Sequence, residues 1–594
     1  MKAIIKPQYT KNRNRLMLLV LSALTVIAIV SMINKNMLSR QAPVDTAAGY
    51  AADFGADLMG VDAVFARQFD VPAEGVIINR VYPNTMADRA GLKREDIIVA
   101  INGSVITSVS MFKSLFFTLD FNDTARLTVL RGGQEITLTT SPGSEAHPLK
   151  QTLPEGSYKS YISATLIFVA VFSLLFFNVS DRVVIITLGA ALMVIVGGYM
   201  DYYSQEAVFG SIKINVLALI LGLNLITIVL ERGGFFEYIS NRILVFSNND
   251  VQRIFIVFCL TTYLFSAFVN NLTTIMVLLP VSLALIKNMP IDPKKFLFCE
   301  IVASNLGGAS TMIGDFPNML ISSEKGVMFH DFIFNMTPIT AILLTVMLFY
   351  FRDGMQTKET AGSGIKNIIE KAKLKLDTSI TDYAAVSRGL VVLALLIVGF
   401  MVSDILHIHP SIMAVVGGFA LLLFESNPSN IIKDVCFKDI VFFCSLFVLV
   451  GGLHAAGILE NIAYWLSMAA GENSFLKLVY IIVLTAVCTS FLNAGPSTAL
   501  FIPIVASMPF AVTSNIIWWA LSIGVCIGSS ATLAGATAGP VSITIFEKFM
   551  GKDDSLTEKE KTITFMEYSK IGLPLMGIFT IVSVIYIGIL NFFN

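Results

Sequence analysis

Apolar residues run in long blocks along most of this chain, and the polar positions between and inside them are of two kinds. Uninterrupted blocks, each near the length of about 20 residues that crosses a bilayer, lie near 16–33, 160–178, 182–200, 214–231, 335–351, 388–404, 411–425, 439–457 and 570–592. Shorter or interrupted blocks at 253–287, 296–323, 475–508 and 515–546 are punctuated by Gly, Pro, Asn, Ser and Thr. One stretch alone alternates with the period of two that marks strands. It comprises 75–81, 96–103, and a hairpin in which 126–130 and 135–139 flank Arg131-Gly132-Gly133. A helix is expected between them at about 110–119. The pattern predicts a polytopic α-helical membrane protein with an inserted small β-rich domain.

The interruptions repeat. Glu231-Arg232-Gly233-Gly234 returns as His454-Ala455-Ala456-Gly457, and 457 minus 234 is 223. Asn271, Thr273, Thr274 and Pro280 are matched by Asn493, Ser497, Thr498 and Pro503, with 493 minus 271 giving 222. Gly307, Thr311 and Gly314 return as Gly528, Thr532 and Gly535, each at 221. Apolar helices resemble one another by chance, but chance rarely preserves the order and spacing of helix breakers. The chain is read as an internal duplication, the signature of many secondary transporters.

Composition agrees. Of 594 residues, 55% are hydrophobic and 14% charged, against about 25% charged in soluble domains. The net charge of −1 is uninformative, so the placement of Lys and Arg carries the topology. Lys2, Lys6, Lys11, Arg13 and Arg15 precede the first block and keep the N-terminus cytoplasmic. An uncleaved anchor is the favoured reading and a cleaved signal peptide the competing one. Residues 1–39 are thus the cytoplasmic start and anchor, and 40–155 an extracytoplasmic segment. Residues 156–351 and 388–594 are the two repeats, joined by a basic cytoplasmic linker at 352–387. Asp201 and Glu206 fall outside; Arg232, Arg242, Arg253, Lys287, Lys294 and Lys295 fall inside. The interrupted block 253–287 therefore enters and leaves on one side, as two spans or, with Asn270-Asn271-Leu272-Thr273-Thr274 at its tip, as a re-entrant hairpin. The block at 439–457 runs outward, and Lys548, Lys552, Lys559 and Lys561 return inside. The second hairpin then opens from the opposite side, which makes the repeats inverted.

A helix breaks at mid-membrane only where protein or a water-filled site satisfies the freed backbone groups. Residues 304–318 and 526–535 are such breaks. Half-helix N-termini there suit an anion and C-termini a cation. Gly308, Ser310, Thr311, Gly314 and Asn318 on one side, and Ser529, Ser530, Thr532 and Gly535 on the other, are the expected binding residues of the breaks. Close packing of helices through small residues is the alternative.

These residues carry a resemblance. The run 300–318, with its Gly-Asp-Phe-Pro-Asn motif at 314–318, and 266–274 before it resemble the ion transporter superfamily over about 160–594. The nearest branch is that of arsenite permeases and NhaD-type sodium/proton antiporters, which includes the melanosomal P protein; citrate and dicarboxylate carriers are more distant. The resemblance implies an elevator-like permease or antiporter, and a homodimer. It also implies substrate and coupling cation at the tips, here Asn270, Asn271, Thr273, Thr274, Asn493, Ser497 and Thr498. That branch often has an Asp before the tip Asn, where this chain has Asn270 and Leu492, so the coupling role passes to Glu300, Asp315, Glu231 or His454. Glu231 has the alternative reading of a membrane-surface marker, and Asp315 and Glu300 that of helix capping or loop structure. Pro83, Ala87, Ala90-Gly91-Leu92, Asp96 and Ile101-Asn102-Gly103 resemble the PDZ domain of bacterial periplasmic proteases over about 55–142. That implies a loop, Leu58-Met59-Gly60-Val61, that would receive the C-terminus of a peptide or protein; packing on the transporter is the alternative.

The expected function is gradient-driven transport of a small ion, anionic or cationic, in a bacterial inner membrane, with lipid around it. Na+ or H+ is the expected coupling ion, with no other cofactor. A membrane sensor or scaffold that reads exported peptides on a degenerate carrier is the competing function. An enzyme is not expected: His-Glu-x-x-His is absent, and the five histidines form no protease set. The six cysteines, at 259, 299, 436, 444, 488 and 526, signal neither a disulfide framework nor a metal site. No nucleotide loop or basic nucleic-acid surface is present.

Overall fold

The computed structural model describes residues 56–60, most of 75–140, and 157–593 apart from a few short gaps and the segment 353–378. The expected anchor at 16–33, nearly all of the helix expected at 110–119, and most of the linker lie outside the described residues.

The alternating stretch folds as expected into an antiparallel sheet. Its elements are β1 (Ala56–Gly60), β2 (Val76–Val81), a short α1 (Met86–Arg89), β3 (Ile97–Ile101), β4 (Ser104–Val105), β5 (Ala125–Arg131) and β6 (Gln134–Thr140). The strand order is β1-β2-β3-β5-β6, with β4 paired to β3. Alternate residues Val76, Ile78, Leu127 and Val129 point inward and bury against Ala87, Ala90 and Leu92. One expectation needs correcting. Leu58, Met59 and Gly60, read as a loop, lie in β1 and pair with Ile78, Ile77 and Val76. The free N–H and C=O groups along the outer edge of β2 need partners, and this extended segment supplies them. Val61 lies outside the described residues.

Asp96 holds the sheet to its loop. It is 1% exposed and accepts from Arg131 Nε at 2.7 Å and from the N–H of Lys93 at 2.7 Å. The bond to Asp96 raises the pKa of the Arg131 guanidinium above its ordinary value. Arg131 also donates to the Gly91 carbonyl at 2.7 Å. Asp96→Ala removes the acceptor of one loop N–H and of a guanidinium that is 32% exposed and can be rehydrated. An expected loss of about 1–2 kcal/mol would show as a lower urea midpoint for unfolding of this sheet.

The first half of the helical region comprises α2 (Ser157–Phe176), α3 (Arg182–Tyr199), α4 (Gln205–Ser211), α5 (Ile214–Arg232), α6 (Phe235–Phe246), α7 (Val251–Ser266), α8 (Asn271–Ile286), α9 (Pro293–Ser310), α10 (Phe316–Lys325), α11 (Phe329–Asn335) and α12 (Thr337–Phe351). The second half comprises α13 (Tyr383–Met401), α14 (Ser403–Leu406), α15 (Pro410–Leu422), α16 (Pro428–Asp434), α17 (Phe437–Ala455), α18 (Ile458–Ala470), α19 (Ser474–Leu492), α20 (Ala494–Ala506), α21 (Ile516–Ser529), α22 (Gly539–Met550), α23 (Glu558–Lys561) and α24 (Phe565–Phe593). Among the described residues seven helices are long and apolar enough to cross a membrane, in α2, α3, α5, α13, α17, α19 and α24. The pair α11 and α12, bent by 42° where Pro338 removes a backbone donor, can pass as one more. The block at 411–425, expected as a span, forms only the 13-residue α15, because the chain turns at 423–425 and Pro428 opens α16.

The duplication is visible in the helix starts. From α5 to α17, 437 minus 214 is 223, and the same difference separates α6 from α18, α7 from α19, α8 from α20 and α10 from α22. The halves are inverted-topology repeats, each with a hairpin (α7–α8, α19–α20) followed by a broken helix (α9–α10, α21–α22). At 16 residues each, α7 and α8 reach about 24 Å, short of the roughly 30 Å hydrocarbon layer, as a re-entrant hairpin requires. The register of the tips is corrected from 222 to 223. Thus Asn270, not Asn271, is the counterpart of Asn493, and Ala494 is the counterpart of Asn271.

Candidate functional site

Each hairpin tip is built by an asparagine at the start of its second arm. Asn270 Oδ1 accepts from the N–H of Leu272 at 2.9 Å and so caps α8. Asn493 closes α19 with its N–H, 3.2 Å from the Thr489 carbonyl, and opens α20 with its own carbonyl, 3.1 Å from the N–H of Ser497. One residue doing both must take φ 72°, a left-handed conformation that asparagine tolerates better than most side chains. Its Nδ2 reaches across to the Ala534 and Ala536 carbonyls at 3.3 and 3.2 Å, in the break of α21–α22.

The breaks dock on the tips by a shared device. Thr311 Oγ1 donates to the Ala267 carbonyl and accepts from the N–H of Gly314 at 3.2 Å. Thr532 Oγ1 donates to the Ser490 carbonyl and accepts from the N–H of Gly535 at 3.0 Å. Glycine is required beside both. A Cβ on Gly314 would stand 2.6 Å from the Ser266 carbonyl oxygen, and one on Gly535 2.9 Å from that of Thr489. Asn318 Nδ2 joins the Ala309 and Thr311 carbonyls at 3.0 and 2.7 Å, satisfying backbone freed by the first break.

The halves differ where the tip meets the break. Asn271 is fully buried, accepts from Ser266 Oγ, and donates from Nδ2 to Asp315 Oδ2 at 2.9 Å. Asp315 Oδ1 accepts from the N–H of Phe316 at 2.9 Å and caps α10. The second half has Ala494 opposite Asn271, and alanine opposite Asp315 in either register, Ala536 or Ala538. The pair Asn271–Asp315 is therefore a property of the first half alone.

Tips and breaks from both halves line one cavity of about 150 Å3. Asn270, Leu272, Asp315 and Phe316 come from the first half, and Asn493, Gly495, Pro496, Thr537 and Pro540 from the second. At well under the 300 Å3 of drug-sized pockets, it suits a small ion. Of the residues expected from sequence, Asn270, Asn493 and Asp315 reach the wall. Asn271, Gly308, Thr311, Gly314 and Asn318 stand behind it, as do Ser497, Thr532 and Gly535. The remaining polar residues bond within their own segments: Thr274 to Val269, Ser310 to Gly307, Thr498 to Ala494, and Ser529 and Ser530 to Cys526. Thr273 is partly buried and absent from the wall. Glu231 and His454 are exposed at the last turns of α5 and α17, away from the cavity, since repeat-related positions at helix ends need not converge.

Sequence reading missed the opposite wall. Arg182 and Asp439, at the starts of α3 and α17, line the cavity 3.6 Å apart, and Arg182 lies 5.6 Å over the Phe442 ring. Lys438 and Asp181 make the reciprocal pair at 3.7 Å. The Asp181 carboxyl is held below its ordinary range, chiefly by the N–H of Val183. Phe316 and Phe443 stack with centroids 3.4 Å apart. The sequence offers only the dipeptides Asp181-Arg182 and Lys438-Asp439, each opening a span, and neither says which cavity that span walls.

Comparison with known proteins places this frame. The citrate transporter family matches residues 165–524, and the PDZ domain matches 54–141. The chain belongs to the citrate transporter family. It carries a PDZ domain and is an integral membrane transporter of the ion transporter superfamily. Magnetosome protein MamN of Magnetospirillum gryphiswaldense is 32% identical over 430 residues, 71% of this chain and 98% of that protein. The P protein of Mus musculus is 24% identical over 498 residues, 70% of this chain and 58% of that one. The structure of Neisseria gonorrhoeae MtrF has 12% identity and a TM-score of 0.45, covering 74% of this chain and 95% of MtrF.

Proposed function

We propose that this transporter is a secondary active permease or antiporter that moves a small ion through the cavity between the two hairpin tips, in an elevator-like cycle of the arsenite permease and NhaD type. The observation that carries the reading is the convergence of both tips and both breaks on one small cavity. Asp315 is the coupling-cation ligand, Na+ or H+, because it is the one acidic side chain among the tip and break residues on the wall. The capping bonds from Asn270 and Asp315 already occupy N–H groups of α8 and α10, whereas α20 and α22 have no side-chain cap. Their positive ends are left to the transported ion. By the distribution of Lys and Arg, the starts of α3 and α17 are cytoplasmic, so the cavity faces inward in this state. The PDZ domain then lies outside the inner membrane, where β1, an edge strand, offers a peptide C-terminus a place to add.

The test is uptake of labelled sodium, arsenite and citrate into proteoliposomes under imposed sodium and proton gradients, with the Asn271→Ala, Asn493→Ala double variant beside the parent. Gradient-driven uptake that falls at least about tenfold in the variant is expected, since two hydrogen-bonded tip residues at about 1 kcal/mol each are removed. Uptake equal in parent and variant would place the path elsewhere.

A further inference from the structure

Glu300 lies outside the cavity and has no place in the mechanism above. Its side chain on α9 is fully buried against α8. Oε2 accepts from Ser282 Oγ of α8 at 2.7 Å, while Oε1 has no hydrogen-bond partner. Among the described residues no ion pair reaches it. The groups around it that can titrate are Cys259 of α7, Cys299 of its own helix and Tyr568 of α24, whose ring stands edge-on to Phe298, all buried. Lys294 and Lys295, at the start of α9, are more than a turn away. From α21 the nearest candidate, Cys526, is turned to the Asn305 carbonyl at 3.8 Å, and Glu547 and Lys548 of α22 are exposed. The α12 segment packed on α9 carries Tyr350 as its titratable group, and that side chain is exposed. Among the described residues no positive charge pairs with an ionised Glu300, and an unpaired carboxylate is strongly disfavoured in such surroundings.

The second half is an internal control. In the 221 register of the broken helices Glu300 corresponds to Leu521, and in the 223 register of the hairpins Ser282 corresponds to Val505. Leu521 and Val505 are both fully buried. The same junction of hairpin arm and broken helix is thus closed by two apolar side chains, so the architecture does not need a carboxyl there. Apolar replacement of buried polar pairs is often neutral or stabilising.

We propose that Glu300 and Ser282 form a proton-binding site in the first half, separate from the cavity. The carboxyl is protonated while α8 covers it. When that arm moves and water arrives, the O–H bond breaks, the proton goes to water and the carboxylate remains. Its use in coupling rests on the transport reading; its detection does not.

The experiment is infrared spectroscopy of the full chain in lipid nanodiscs, comparing Asp315→Asn with Asp315→Asn, Glu300→Gln so that Asp315 contributes nothing. A deuterium-sensitive carbonyl band of a protonated carboxyl is expected at neutral pH in the first and is lost in the second. It should fade reversibly as pH rises, because the neutral form is the protonated one. Superimposable spectra would overturn the proposal, and so would a band that persists unchanged at every pH where the protein stays folded. The Ser282→Val, Glu300→Leu variant copies the second half. It is expected to fold and melt no lower than the parent, while losing the band. A lower melting temperature would make the pair structural and overturn the proposal. Should transport of sodium, arsenite and citrate fail altogether, the band and its titration still decide the site.

Discussion

Alanine at Gly307, or at its counterpart Gly528, is expected to lower the melting temperature of the detergent-solubilised protein more than any substitution on the cavity wall. A Cβ on Gly307 would stand 2.1 Å from the Tyr263 carbonyl oxygen of α7, and one on Gly528 2.3 Å from the Ala486 carbonyl oxygen of α19. The obstacle is backbone in both cases, so no side chain can swing aside. The positions 263 and 486 differ by 223, so each half seats its broken helix on its hairpin at the same point. Overpacking in a filled interior costs about 1–3 kcal/mol where side chains can adjust, and roughly 3 kcal/mol or more is expected at each site here. Gly577 of α24, where an added Cβ would meet nothing within 4 Å, is the control. Gly577→Ala should leave the melting curve unchanged. Equal melting of all three variants would mean that the hairpin and broken helix are not held as described.

The same glycines show what the sequence could reveal. Helix breakers act locally, through a missing donor, a missing Cβ or a competing side-chain hydrogen bond, so their order and spacing carried the duplication, the breaks and the tips. The period-two stretch was equally local, and its sheet follows the expected strands closely, from 75–81 expected to Val76–Val81 observed. Register was harder. A tip of four residues in one half and a single left-handed asparagine in the other hide the register, and the helix starts together with the hydrogen bonds of Asn270 and Asn493 distinguish 223 from 222. Arg182 and Asp439 were illegible for another reason. The two are 257 residues apart, since 439 minus 182 is 257, and nothing in either dipeptide says which cavity a span will wall. The strand at 56–60 fell between these cases, since its pairing depends on the exposed edge of β2 and not on its own alternation.

Asp315→Asn is expected to abolish the dependence of uptake on the cation gradient while leaving the fold intact. Asparagine is nearly isosteric and caps a helix about as well as aspartate, so the N–H of Phe316 keeps its partner. The introduced Nδ2 takes the place of Oδ2. Asn271 keeps the contact by turning its amide to offer Oδ1, with Ser266 Oγ accepting from the turned Nδ2, so the tip stays seated on the break. What disappears is the charge. A hydrogen bond or contact to a charged group is worth about 1.5–3 kcal/mol, which corresponds to roughly a 10- to 100-fold weaker apparent affinity for the coupling cation. The measurement is uptake against sodium concentration and against pH in proteoliposomes, with a melting curve to show that the variant is folded. A variant that stays folded and keeps the full cation dependence would remove Asp315 from coupling. Ala536→Asp tests the asymmetry from the other side. The second half lacks an asparagine opposite Asn271, because Ala494 stands there. A carboxylate at 536 would therefore lack a counterpart of Asn271 to hold it, the Asn493 amide being taken by the Ala534 and Ala536 carbonyls, and should not create a second cation dependence. If both results hold, coupling belongs to the first half, and the second half shapes the path for the transported ion.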